Sequence, residues 1–79
     1  MLNIQLLAPM RVLLQDSKSL QYLTPDDTWT NKAALARNFG AASKAIAYAI
    51  QHRDLELNLV LKGRTEGNDF MWHIERRKF

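Results

Sequence analysis

The chain has 79 residues, room for one domain and one core but not for two. Hydrophobic residues make up 47% and charged residues 24%, a balance of folded globular chains that excludes disorder as the organising state. It has no cysteine, which excludes disulfides and thiolate metal sites and favours a cytoplasmic setting, and its formal net charge is +3.

The charge is uneven. Residues 1–31 carry Arg11 and Lys18 against Asp16, Asp26 and Asp27, whereas residues 32–79 carry nine Lys or Arg against five acids. A basic half can attract nucleic acid through counterion release, and it can equally be a solvated surface with a cationic excess. A domain of this size buries only roughly 60–65% of the surface its unfolded chain exposes, so a homodimer is one expected source of further stability.

In chain order, MLNIQLLAPM alternates Leu2, Ile4 and Leu6 with Asn3 and Gln5, as a half-buried strand does. It has no basic flank before it and is too short for a signal sequence or a membrane span, so no membrane partner is expected. After Ala8-Pro9, Arg11–Gln15 is a short apolar run closed by the polar cluster Asp16-Ser17-Lys18-Ser19. Ser19–Thr24 fits one helical turn, through Leu20 and Leu23, or a strand face, through Leu20 and Tyr22. Thr24-Pro25-Asp26-Asp27 suits a helix entry or a type I turn, and the β-favouring Thr28-Trp29-Thr30 after it favours the turn. Thr30 or Asn31 offers a side-chain cap for a helix to follow. From Lys32 the composition becomes alanine-rich and helix-forming, ending in the polar exit Gln51-His52-Arg53-Asp54. Leu55, Leu57, Leu59 and Leu61 then alternate with Glu56, Asn58, Val60 and Lys62. A glycine-bounded connection, Gly63 to Asp69, leads to Phe70, Trp72 and Ile74, which alternate with Met71, His73 and Glu75. These two runs predict a hairpin that buries Leu57, Leu59, Phe70 and Trp72 on one face. The basic tail Arg76-Arg77-Lys78-Phe79 is expected to fray.

The stretch Lys32–Gln51 supports two readings. In the first it is a helix-turn-helix. Leu35 and Phe39 anchor a first helix, Ala36 is the small residue at the crossing, and Gly40 supplies a turn with φ > 0. Ile46, Ala49 and Ile50 form the buried face of a second helix. Ala42, Ser43, Lys44, Ala47, Tyr48 and Gln51 are left on the side that would enter a DNA groove.

With those spacings, ARNFGAASKAIAYAI followed by a Leu-rich hairpin resembles the Cro-type phage repressors over Lys32 to about Glu75. The resemblance implies a small non-enzymatic, phage-like regulator of transcription that binds duplex DNA. Ser43, Lys44, Ala47, Tyr48 and Gln51 would face the groove, and Arg37 would stand beside them as a DNA-binding cation. The chain departs from that family at Ala41, which is small where a larger β-branched residue is usual. Its groove side is poor in the side chains that make bidentate base contacts, and residues 1–31 do not match an N-terminal helix cleanly.

In the second reading Leu35, Phe39, Ala42, Ile46 and Ala49 continue one amphipathic stripe through Gly40, at a cost of about 1 kcal/mol for the glycine. Val12–Gln15 and Leu20–Thr24 then form a first hairpin, and Trp29 covers the sheet edge. Both readings describe a small α+β domain with one or two helices on an antiparallel sheet. The second has the order β-β-α-β-β and implies a protein partner, as a protein-binding or inhibitor module without a nucleic-acid role.

No catalytic constellation emerges, and an enzyme is not expected. His52 and His73 are the only histidines, too few for a zinc site, and no metal or cofactor is implied. Asp26 and Asp27 beside Pro25 read as turn formers. Ser17, Ser19 and Ser43 lack a nucleophile motif, and Gly63 and Gly67 lack the spacing of a phosphate loop. Trp29 and Trp72 could stack bases, but in so small a chain they read first as core.

Overall fold

Five strands and one helix make up the fold in a computed structural model that describes residues 10–63 and 69–75. The strand expected at Leu2–Leu6, the interior of the Gly63–Asp69 connection and the Arg76–Phe79 tail lie outside the described residues. The strands are β1 (Arg11–Asp16), β2 (Tyr22–Leu23), β3 (Trp29–Thr30), β4 (Leu57–Lys62) and β5 (Asp69–His73). They form one antiparallel sheet in the order β3-β2-β1-β4-β5, and α1 (Ala42–Gln51) packs against β1 and β4. The protein is thus a small α+β domain with a single α-helix among the described residues. The helix is not long and apolar enough to cross a membrane.

The sheet centre explains the sequence of β1. Its middle four residues, Val12 to Gln15, are buried on both faces, so it reads as a continuous apolar run and not as an alternation. Val12 and Leu14 join Leu57 and Leu59 under the helix, with Leu23, Phe39, Ala45 and Ala49. Leu13 turns the other way and packs with Val60 and Ala36. The register Leu14↔Leu59 and Gln15↔Asn58 keeps like side chains opposite each other. The alanines Ala45 and Ala49 let α1 settle close on the sheet.

Both turns that flank β2 are built by side chains. The Asp16 carboxylate accepts from the Ser19 backbone N–H at 2.7 Å, and Leu20 takes the left-handed φ of 65° that closes the first hairpin. The Thr24 hydroxyl accepts from the backbone N–H of Asp26 at 3.2 Å and of Thr28 at 3.0 Å. Asp27 has φ 63°, so Thr24–Asp27 is a turn and not a helix entry. Trp29 follows on β3, itself the edge strand, where the one-helix reading had it covering the edge of a sheet with two strands before the helix.

Residues 32–41 correct both readings of the alanine-rich stretch. They form a three-residue 3-10 turn, Ala33–Leu35, and then an irregular segment to Gly40, whose φ is +83°. There is no first α-helix to cross a second one, and no stripe running through Gly40. Leu35, the proposed anchor, is 58% exposed, while Ala36 and Phe39 are buried against the sheet. Ile46 and Ile50, expected inside, are exposed. The physical cause is an open edge. β2 pairs with β1 only at Gln15↔Tyr22, which leaves the backbone of Val12 without a strand on the side away from β4. The segment 36–39 supplies those partners. The Asn38 side-chain oxygen accepts from Val12 N–H at 3.0 Å, and Phe39 N–H donates to the Val12 carbonyl at 2.8 Å. Arg37 N–H donates to the Leu23 carbonyl, and the Arg11 guanidinium donates to the carbonyls of Ala33 and Ala36 at 2.8 and 2.9 Å. Leaving a buried backbone group unmet costs about 1–3 kcal/mol, more than alanine's helix preference returns over a few residues.

The expected caps move accordingly. Thr30 Oγ1 accepts from Lys32 N–H at 3.1 Å but caps no helix, and α1 starts after Ala41 without a side-chain cap.

Candidate functional site: a cationic cleft and an open aromatic strand

The first candidate is a shallow cleft of about 380 Å³ beside α1. Arg37, Lys44, Ala47, Tyr48 and Gln51 line it with Asn38 and Phe39. Helical spacing explains the grouping, because Lys44, Tyr48 and Gln51 stand on one face of α1. The Arg37 guanidinium carbon lies 4.5 Å from the centre of the Phe39 ring and 5.7 Å from that of Tyr48, within cation–π range. Phe39 and Tyr48 meet edge to face at 5.6 Å, and His52 stacks on Tyr48 at 3.9 Å. His52 sits at the helix end as expected, with Nδ1 2.9 Å from the Tyr48 carbonyl oxygen. The Tyr48 hydroxyl donates to the Asp27 carboxylate at 3.4 Å. Burial raises the Tyr48 pKa above its usual 10.0, and the nearby Asp27 charge raises it further.

Five of the six residues singled out in the sequence for DNA contact therefore share one concavity; Ser43 is exposed on α1 and does not line it. They reach it by a different route from the one expected. Arg37 arrives on the irregular segment and not on a helix, and Tyr48 is half-buried against the core. The cleft could hold an anionic or planar group against two cations and two rings. Among the described residues, no group of three His, Cys, Asp or Glu side chains could hold a metal ion.

The second candidate escaped the sequence reading. Phe70, Met71 and Trp72 on β5 are 53%, 58% and 51% exposed, where Phe70 and Trp72 were expected in the core. Phe70 and Trp72 project to the helix side of the sheet, opposite Leu61 and Leu59. The ten-residue α1 packs on β1 and β4, and its reach ends before β5. The two rings stack on each other at 5.9 Å instead. Met71 faces the other side. The strand therefore has an apolar centre, Phe70 and Trp72 on one face and Met71 between Asp69 and His73 on the other, and every residue in it is exposed.

Its backbone is open as well. β5 pairs with β4 and has no strand on its other side among the described residues. Ile74 N–H donates to the Leu57 carbonyl at 2.9 Å. In the antiparallel alternation this directs the backbone groups of Phe70 and Trp72 inward to β4, and those of Asp69, Met71 and His73 outward. At the strand's ends, Lys62 pairs with Asp69 at 2.8 Å, and His73 Nδ1 lies 3.1 Å from Asn58 Oδ1. The sequence carried no signal for the exposure of β5, because the alanine-rich stretch reads as twenty residues, Lys32–Gln51, and only the structure shortens its helix to ten.

No family model matches the chain, and neither a curated protein nor a solved structure is similar to it at a significant level.

Proposed function

We propose that the protein is a non-enzymatic protein-binding module that presents β5 as its docking strand. The observation that carries this is the joint exposure of Phe70, Met71 and Trp72 on a strand whose outer backbone groups are unpaired by any described strand. An edge of this kind is a template for strand addition: the backbone supplies affinity, and alternate side chains supply selectivity. Soluble proteins usually guard such an edge with charge, proline or a covering helix. Here Asp69 and His73 bracket the strand but leave its apolar centre open. The test is in-cell photo-crosslinking with a photoreactive residue in place of Trp72, and separately in place of Ala47 on the far side of α1. Discrete protein adducts from position 72 and none from position 47 support the reading. No adduct from position 72 above background removes it.

A second reading rests on the cleft, where Arg37 and Lys44 meet Phe39 and Tyr48. It keeps duplex DNA as the partner and regulation as the role, with the contact made by one helix face and not by two crossing helices. Anisotropy with a labelled duplex tests it. Binding that falls steeply with salt, and that weakens in Lys44→Ala with Gln51→Ala, supports it. Those two positions are exposed, so their loss leaves folding intact. A duplex that stays unbound at low salt rejects it.

A further inference from the structure

We infer that the partner β5 fits is a second copy of itself, joined antiparallel across a two-fold axis at Met71. The inference rests on the reading of β5 as the docking strand and adds the partner's identity. An isologous contact requires that whatever residue i meets in residue j, j meets in i. The strand Asp69-Phe70-Met71-Trp72-His73 meets that condition when it is centred on its middle residue. Met71 then faces Met71 of the second copy. Phe70 faces Trp72, and Asp69 faces His73, each twice.

The backbone parity agrees. Asp69, Met71 and His73 are the residues whose N–H and C=O groups point away from β4. In the centred register they form the hydrogen-bonded pairs, 69 with 73, 71 with 71 and 73 with 69. Phe70 and Trp72 fall at the non-hydrogen-bonded sites between them, where facing side chains come closest. Aromatic pairs gain most at such sites. A centre at Phe70 or Trp72 would stack identical rings but set Asp69 or His73 opposite Met71 and part the acid from the imidazole. On the face away from the helix, the centred register extends a polar row across the junction, from Lys62 and Asp69 of one copy to His73 and Asn58 of the other. Both halves of that row already exist, as the Lys62–Asp69 pair at 2.8 Å and the Asn58–His73 contact at 3.1 Å. The contact area of two five-residue strands is small beside the roughly 1,600 Å² of a standard stable interface. The dimer is accordingly weak and dependent on concentration.

Sedimentation velocity of the full chain from micromolar to millimolar concentration reads the equilibrium. The expected result is a monomer–dimer transition in this range. His73→Asp sets carboxylates opposite each other at both ends and should weaken the dimer by about tenfold. Adding Asp69→His to it exchanges the two ends and should restore the wild-type midpoint. Met71→Lys, which places like charges across the axis, is a second disrupting variant at an exposed position. Circular dichroism of each variant confirms that it is folded. A chain that stays monomeric to millimolar concentration overturns the inference. A dimer indifferent to all these changes overturns it too. Crosslinks from position 72 to other proteins alone, with a monomeric chain, would remove self-pairing while leaving the docking strand in place. No crosslink and no dimer would remove both.

Discussion

Leu59 and Trp72 are directly opposite each other on β4 and β5 and point to the same side of the sheet, yet Leu59 is 8% exposed and Trp72 is 51% exposed. One strand spacing separates a core residue from a surface residue because α1 covers the first and stops before the second. Substitution should separate them as sharply. Leu59→Ala should cost roughly 2–5 kcal/mol through lost burial and a cavity. Trp72→Ala should stay within about 1 kcal/mol in dilute solution. Urea unfolding of the two variants compares them directly, and equal losses would mean that Trp72 is packed in the core.

Gln15 and Asn58 form a buried polar pair between β1 and β4, in which Asn58 Nδ2 donates to Gln15 Oε1 at 2.8 Å. A slip of one residue in either strand would turn its member of the pair toward the apolar helix face and break the contact, so the pair helps to fix the register. Asn58→Leu alone strands the Gln15 oxygen and should cost about 1–3 kcal/mol. Gln15→Leu together with Asn58→Leu removes both partners and should recover much of that loss. A double variant less stable than the sum of the singles, in chemical denaturation, would contradict this account.

At Gly40 the backbone sets the requirement. A Cβ added there would meet nothing within 4 Å, but φ is +83°. Gly40→Ala should therefore cost about 1–2 kcal/mol through left-handed strain alone. Gly40→Asn should cost less, because asparagine tolerates that region better. Equal melting points for glycine and alanine at this position would show that the turn relaxes.

Asp16 makes the first hairpin sensitive to acid. The Ser19 backbone N–H holds its carboxyl below the ordinary 3.8, ahead of a smaller opposing effect of burial. The folded state favours the charged form. Its contribution is therefore complete above the ordinary carboxylate range and is lost as pH falls through the lowered value. Asp16→Asn should flatten the acid limb of stability against pH and leave the neutral region with a constant offset. An acid limb of unchanged slope, followed by circular dichroism, would place the sensitivity elsewhere.

β4 was legible although both of its faces are buried at the centre, because the residues on its second face include the polar Asn58 and Lys62. Leu57, Leu59 and Leu61 announce β4 by alternation, and the polar cluster at Asp16–Ser19 announces the first hairpin. The turn at Thr24–Asp27 was legible from Pro25 and the β-favouring residues after it. The segment 36–39 was not legible, because its conformation is set by the unpaired backbone of Val12, a residue more than twenty positions earlier. Alanine's local preference cannot register that demand. Lys44, Ala47, Tyr48 and Gln51 line one cleft because their spacing on α1 survives whatever precedes the helix. The exposed β5 was missed because alternation shows which residues share a face, not whether anything covers it.

The two edges of the sheet are unequal, and this sets how many molecules can join. β3 at the far edge is only two residues long, Trp29 and Thr30, with the exposed polar residues Asn31 and Lys32 directly after it. It is too short to template another strand. The gap left beside β1 is already filled by Asn38 and Phe39. Among the described strands, growth of the sheet therefore has a valency of one. In the proposed dimer, pairing through β5 would use up that one long edge and end at two molecules, whereas a sheet open at both sides could continue into a filament. By filling the gap beside β1, the irregular stretch before Gly40 works as a chain terminator.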